Sequence, residues 1–307
     1  MAQPALRPPL PAVLPELNQL HELHGRVLHW YAANARPLPW RRSDATPWGV
    51  LLSEVMSQQT PVARVEPIWH EWLRRWPTPA DLAAAPAGEA VRAWGRLGYP
   101  RRALRLHEAA RAFVDRHAGV VPRTVDELLN LPGIGAYTAA AVACFAYAVP
   151  SVVVDTNVRR VLVRTLEGRA HAAPAMTRAE VDLAEAALPP DPADAVGWNV
   201  AAMELGALVC TARTPRCPEC PVADLCAWNR AGRPAYDGPP RRGQAWHGTD
   251  RQARGALLAV LRAVSDPVSE AALAQAWPAQ SQRMRCLDSL VADGLVEPLD
   301  GHYRLPA

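Results

Sequence analysis

The sequence contains no lysine: all 33 of its basic residues are arginine, set against 30 carboxylates for a formal net charge of +3. This excludes side-chain Schiff-base chemistry and every role that needs a compact, readily titrated ammonium, because a guanidinium keeps its proton at any physiological pH. Phenylalanine is almost as scarce, at 2 residues, so aromatic packing falls mainly to 11 tryptophans. No run approaches the roughly 18 apolar residues of a membrane span, and no charged stretch leads into an apolar one at the N-terminus. The expectation is a cytoplasmic protein with no membrane partner. Cysteine is limited to 6 residues, and without a secretion signal these do not read as a disulfide scaffold.

What is present suits a helical protein of two or three domains: 307 residues, half of them hydrophobic. Residues 1–15 (MAQPALRPPLPAVLP) are proline-rich and predict a disordered tail. From Leu17 to Trp228 apolar residues recur at helical spacing, as in PVARVEPIWHEWLRRW and RRALRLHEAARAFVDRH, with Thr46-Pro47 as a helix-opening pair. Alternating strand patterns of any length are missing, which gives an all-α class. Residues 231–249 are rich in Pro, Gly and Arg and read as a linker. Residues 250–307 predict three helices and a hairpin turning at Asp300-Gly301, the order of a small winged-helix-like domain.

Four of the cysteines, Cys210, Cys217, Cys220 and Cys226, are spaced C-x6-C-x2-C-x5-C. Four thiolates within so short a segment can enclose one metal centre. Zinc competes, but zinc sites usually pair two C-x2-C knuckles and this run has one, so the spacing favours an iron-sulfur cluster. Cys144 and Cys286 lie in apolar helical contexts and read as packing residues.

In LPGIGAYTAA, Gly133 and Gly135 permit a backbone turn that directs N–H groups toward one point, just before a helix N-terminus. An anion such as a phosphate suits that point, although a plain helix-turn-helix corner would use the same residues. Asp155 follows a valine run and opens a helix; it fits an N-cap as readily as a functional carboxylate. Glu54 falls inside the helix WGVLLSEVMSQQ with Val50 and Leu51 one turn before it, so partial burial and a raised pKa are expected, with Asp155 better solvated and ionised.

EVMSQQT, LGYPRRA, LPGIGAYTA, VVDTNVRRV and MELGALVC followed by the cysteine run resemble, in order and spacing, the helix-hairpin-helix DNA glycosylases of the endonuclease III superfamily, and within it the MutY-like adenine glycosylases in their actinobacterial form. The resemblance spans about residues 38–228 and implies a six-helix barrel over 38–149, an iron-sulfur domain over 16–37 plus 150–230, and a 4Fe-4S cluster on the four cysteines. It implies an enzyme of base excision repair that hydrolyses the N-glycosidic bond of adenine opposite 8-oxoguanine or G, acting as a monomer on mismatched or oxidised double-stranded DNA. Glu54 would be the general acid, Asp155 would stabilise the cationic sugar, and Tyr137 and Asn157 would complete the pocket. Gln59, Thr60 and Tyr99 would wedge the duplex or touch the opposite base, and Gly133 and Gly135 would hold a phosphate. Arg41 matches a pocket residue more loosely, and Arg101, Arg102, Arg159 and Arg160 are possible further phosphate contacts. Bifunctional relatives carry lysine at the Tyr137 position, so a tyrosine in a lysine-free chain implies base removal without strand cleavage.

Three positions depart from the pattern: Ser57 stands where leucine is expected, Val200 where Glu or Gln would face the adenine, and Thr156 where glycine is usual. In place of the β-rich C-terminal domain of well-known relatives, this chain has the winged-helix-like segment, with Arg251, Arg254, Arg283 and Arg285 available to grip DNA. Two rival readings stay open: a thymine or uracil mismatch glycosylase of the same fold, and a non-enzymatic iron-sulfur regulator whose winged helix reads operators.

Overall fold

The computed structural model describes residues 17–236 and 246–307; the expected tail over 1–15 and the expected linker's central part, 237–245, lie outside the described residues. Helices dominate the described residues: α1 (Leu17–Asn34), α2 (Pro47–Ser57), α3 (Val62–Arg75), α4 (Pro79–Ala84), α5 (Ala87–Trp94), α6 (Arg101–His117), α7 (Val125–Leu129), α8 (Ala136–Tyr147), α9 (Thr156–Thr165), α10 (Arg178–Ala186), α11 (Pro192–Leu208), α12 (Ala227–Arg230), α13 (Asp250–Ala263), α14 (Glu270–Ala276) and α15 (Gln280–Ala292). The chain divides into two compact units, one of residues 1–38 and 143–239, the other of 39–142 and 240–307.

In the first unit, Leu23 and Val27 of α1, Val158 and Leu162 of α9, Leu183 of α10, and Trp198 and Leu205 of α11 share one core. Two ion pairs cross it. Glu204, fully buried, receives Arg36 through Nε and Nη2, both at 2.7 Å, while Arg159 donates through Nε to Glu180 at 2.9 Å. Such pairs do little to stabilise a fold compared with an apolar substitute, but losing one partner leaves a buried charge without its counterpart. Helices α9 and α11 touch at Gly206, where a Cβ would lie 2.7 Å from Asn157 Cβ and 2.9 Å from its carbonyl oxygen.

In the second unit, tryptophans supply the bulk that phenylalanine does not: Trp72 packs edge-on against Trp76 and Trp94, with ring centroids 5.0 and 5.5 Å away. Thr46 caps α2 by accepting the Gly49 N–H at 3.1 Å, with Pro47 in the first turn. Thr124 and Glu127 close a reciprocal capping box that starts α7. The C-terminal segment in this unit carries the three expected helices and the expected hairpin, β2 (Glu297–Leu299) with β3 (His302–Arg304). Asp300 and Gly301 turn it with φ of 43° and 77°. The sequence reading did not find β1 (Val268–Ser269), which pairs antiparallel with the other edge of β3. At two residues it is too short to show an alternating pattern.

Candidate active site

Glu54 sits on the third turn of α2, half-buried, behind the fully buried Leu51. Tyr137, in the first turn of α8, donates its hydroxyl proton to Glu54 Oε2 at 2.9 Å. Beside this pair, Gln58 Nε2 donates to Thr138 Oγ1 at 3.2 Å, so the end of α2 is tied to the start of α8 twice. The hairpin between α7 and α8 brings the tyrosine there. Gly133 turns it with φ 71°, a conformation that side chains resist. Gly135 is different: its φ is unexceptional, and a Cβ there would meet nothing within 4 Å. Its bare backbone is exposed at the start of α8, whose first N–H groups have no partner within the helix. Helix N-termini with open N–H groups are favourable places for an anion.

Gln59 and Tyr99 are both exposed and both left-handed, with φ of 53° and 47°. For residues with side chains this is strained backbone, and it persists only where surroundings impose it. One buried arginine reaches both turns. Arg102 donates Nη1 to Val55 O and Gln58 O, each at 2.7 Å, and Nη2 to Gly98 O at 3.0 Å, clasping the turns that carry the two residues. With no carboxylate beside it, burial pushes its pKa down to about 10. The phosphate contact suggested for Arg102 is therefore corrected: its guanidinium faces inward, consumed by carbonyls. Thr60 is also inside, its hydroxyl donating toward Leu97 O at 3.1 Å, so it supports the turn rather than facing out. Arg41 is half-buried in a short 3-10 turn, Pro39–Arg41.

In the first unit Asp155 caps α9, accepting the Asn157 and Val158 N–H groups at 2.8 and 2.7 Å, and Asn157 Nδ2 donates to its other oxygen at 2.7 Å. Asp155 is half-buried, as Glu54 is, so exposure does not separate the two carboxylates. Burial pushes the Asp155 carboxyl above its usual range, against the pull of these donors and of nearby Arg160. Arg160 carries the arrangement onward, donating to Asn157 Oδ1, to Gly206 O and to the carbonyl of Cys210, each at 2.6 Å. Arg159, a suggested phosphate contact, is buried on Glu180 instead.

Cys210 begins the fourfold cysteine site. All four cysteines line one cavity with Arg164 and Trp228. Arg164, buried, donates Nη1 to Cys210 Sγ at 3.4 Å and lies 4.7 Å from the Trp228 ring. Burial pushes the Cys220 thiol up to about 12 and the Cys226 thiol up as well. Four thiols with a cation against one of them suit a thiolate-ligated cluster, whose charge the guanidinium would offset. Sequence reasoning missed Arg164, Gly206 and the Arg36–Glu204 pair. The signal for Arg164 was its place four residues after Arg160, on the same face of α9.

Residues 52–185 match the HhH-GPD superfamily of base excision DNA repair proteins, and residues 210–226 the iron-sulfur binding domain of endonuclease III. An adenine DNA glycosylase of Mycobacterium tuberculosis is 53% identical over 97% of this chain and 99% of its own length. The chain belongs to the adenine DNA glycosylase family. A Mycolicibacterium smegmatis member of that family is 55% identical over 91% of this chain and 94% of its own. Among solved structures, a thermostable thymine-DNA glycosylase superposes with a TM-score of 0.62 at 26% identity, covering 70% of this chain and 98% of that one. The glycosylase fold thus leaves about three tenths of this chain unmatched in that structure, whereas the mycobacterial family members run nearly its whole length. All four cysteines fall within the matched iron-sulfur binding segment, residues 210–226, and the protein carries a 4Fe-4S cluster.

Proposed function

We propose that this protein removes adenine mispaired with 8-oxoguanine or guanine from double-stranded DNA by hydrolysing the N-glycosidic bond. The observation that carries this reading is near-full-length agreement with adenine DNA glycosylases. Glu54, held by the Tyr137 hydroxyl, gives its proton to N7 of the extruded purine as the bond from C1′ to N9 breaks and its electrons leave with the base. Asp155, held by Asn157 and the α9 N-terminus, places negative charge against the oxocarbenium-like sugar. Water adds at C1′, its proton passes to a carboxylate, and the products are free adenine and an abasic site. With no lysine in the chain, no lysine side chain attacks the sugar, and the strand stays whole. The backbone at Gly133 and Gly135 receives a phosphate, and Gln59 and Tyr99 enter the duplex as the base leaves it.

The test is cleavage of four duplexes, A:8-oxoG, A:G, T:G and U:G, with alkali added to reveal abasic sites. Release of adenine from the first two, and no nick before alkali, is expected. Cleavage of T:G alone would favour the second reading, which the likeness to a thymine-DNA glycosylase structure supports. Substituting Glu54→Gln is expected to stop base release while leaving duplex binding largely intact.

A further inference from the structure

Tyr99 lies in the six-residue loop between α5 and α6, where Gly95, Gly98 and Tyr99 itself have φ of 54°, 82° and 47°. A loop with half its residues left-handed needs its carbonyls held from outside, and four of them are. Arg64 takes Arg96 O, Thr60 takes Leu97 O, and Trp94 Nε1 and Arg102 take Gly98 O at 2.8 and 3.0 Å. The remaining holder comes from the C-terminal module: Arg262, at the end of α13, donates Nη1 to Gly95 O at 2.6 Å and Nε to Val91 O at 2.9 Å.

The exchange is reciprocal. Arg92 of α5 donates to Leu261 O, Arg262 O and Val264 O at the end of α13, so each helix has its C-terminal carbonyls capped by an arginine of the other. Two further contacts fix the module on α5 and on the start of α6. Gly88 N–H donates to Pro306 O at 2.8 Å, where a Cβ on Gly88 would lie 2.4 Å from that oxygen. Asp293, at the end of α15, pairs with Arg254 at 2.5 Å and with Arg101, two residues after Tyr99, at 3.2 Å.

The module's own surface chemistry argues against a phosphate grip. Arg254 is spent on Asp293, and Arg285 on Asp250 at 2.8 Å. Arg283 is buried against Trp277 O and Pro278 O, and the carboxylates Asp288 and Asp300 are exposed. Arg251, the fourth arginine suggested for DNA, is exposed and lies 5.0 Å from the Trp246 ring.

We infer that the C-terminal module is a buttress that holds the Tyr99 turn through Arg262, a positioning residue for base extrusion rather than a DNA-reading element. This rests on the role proposed above for Tyr99. The experiment uses the full chain and a duplex with 2-aminopurine beside the target adenine, and reads extrusion by fluorescence and base release by single turnover. Arg262→Met is expected to lower extrusion and base release by roughly ten- to hundredfold through misplacement of the turn, with affinity for undamaged duplex unchanged. Arg262→Lys, which keeps a donor, should recover part of the loss. Should Arg262→Met fail to fold by circular dichroism, Asp293→Asn tests the second support and is expected to shift extrusion the same way by a smaller factor. Pairing Gln280→Glu with Ser281→Glu puts negative charge on the exposed first turn of α15. The buttress predicts no change in DNA affinity, and a weakened affinity with altered salt dependence would overturn it in favour of DNA reading. Wild-type extrusion in a folded Arg262→Met protein would also overturn it. Failure of the wild-type protein to release adenine from any duplex would instead overturn the proposed function.

Discussion

Tyr137 and Glu54 stand 83 residues apart in the chain and meet through one hydrogen bond. A bond to an ionisable acceptor is worth about 1.5–3 kcal/mol, so Tyr137→Phe should slow base release by roughly ten- to hundredfold in single turnover while duplex affinity holds. Equal slowing and loss of affinity would remove the tyrosine from the chemistry. Asp155 offers a pH test. Its folded pKa is raised by burial, so the ionised form that its proposed role requires is lost as pH falls through a value above the ordinary aspartate range. Asn157→Ala removes a donor that lowers that pKa, and the acid limb of the pH–rate profile should therefore move to higher pH. The sign for stability runs the other way. A carboxyl raised by burial burdens the fold once pH exceeds its unfolded value, so Asp155→Asn should abolish base release yet raise the melting temperature at neutral pH. A lower melting temperature would contradict the burial cause.

At the scale of helices, the crossing of α9 and α11 allows one residue type at one place. Gly206→Ala would drive a methyl group into Asn157, at an expected cost of about 1–3 kcal/mol, and the displaced Asn157 would release Asp155. A fall in the urea midpoint accompanied by a larger fractional loss of activity is the expected result. Glu204→Ala, which leaves the partly exposed Arg36 without its acceptor, should cost about 1–3 kcal/mol by the same measurement. The helices were legible in sequence because caps, glycine turns and apolar spacing are local: Thr46-Pro47, Gly133 and Asp155 each act within a few residues of themselves. The strand at Val268–Ser269 was not, since it pairs with Tyr303 and His302, far along the chain. Arginines were the other blind spot. Arg101 and Arg102 are neighbours of identical chemistry, yet the first is exposed and the second buried among carbonyls, and only tertiary packing separates them.

For the whole molecule, the chemistry was more legible than its support. Cysteine spacing and the missing lysine could be read from residue types, whereas the setting that raises the Asp155 pKa and the docking of the C-terminal module arise from contacts between distant segments. The cluster site shows what that support implies for the assembled protein. Cys220 and Cys226 are thiols whose protons burial retains, so cluster assembly must expel them, and acid should favour cluster loss. The visible absorbance of the purified protein is expected to fall irreversibly with falling pH or on Cys210→Ala, and the first unit, whose cavity those thiols line, should then melt at lower temperature. A colourless wild-type protein holding zinc would exclude the cluster.

Trp228 lines that same cavity and is almost wholly screened from solvent. An indole emits in the near ultraviolet, and a thiolate-ligated cluster absorbs from there through the visible, so an occupied site should darken this one ring by energy transfer. The protein thereby contains its own optical gauge: comparing emission of the wild type with Trp228→Leu would report how much cofactor a preparation holds, without opening the molecule to assay its iron.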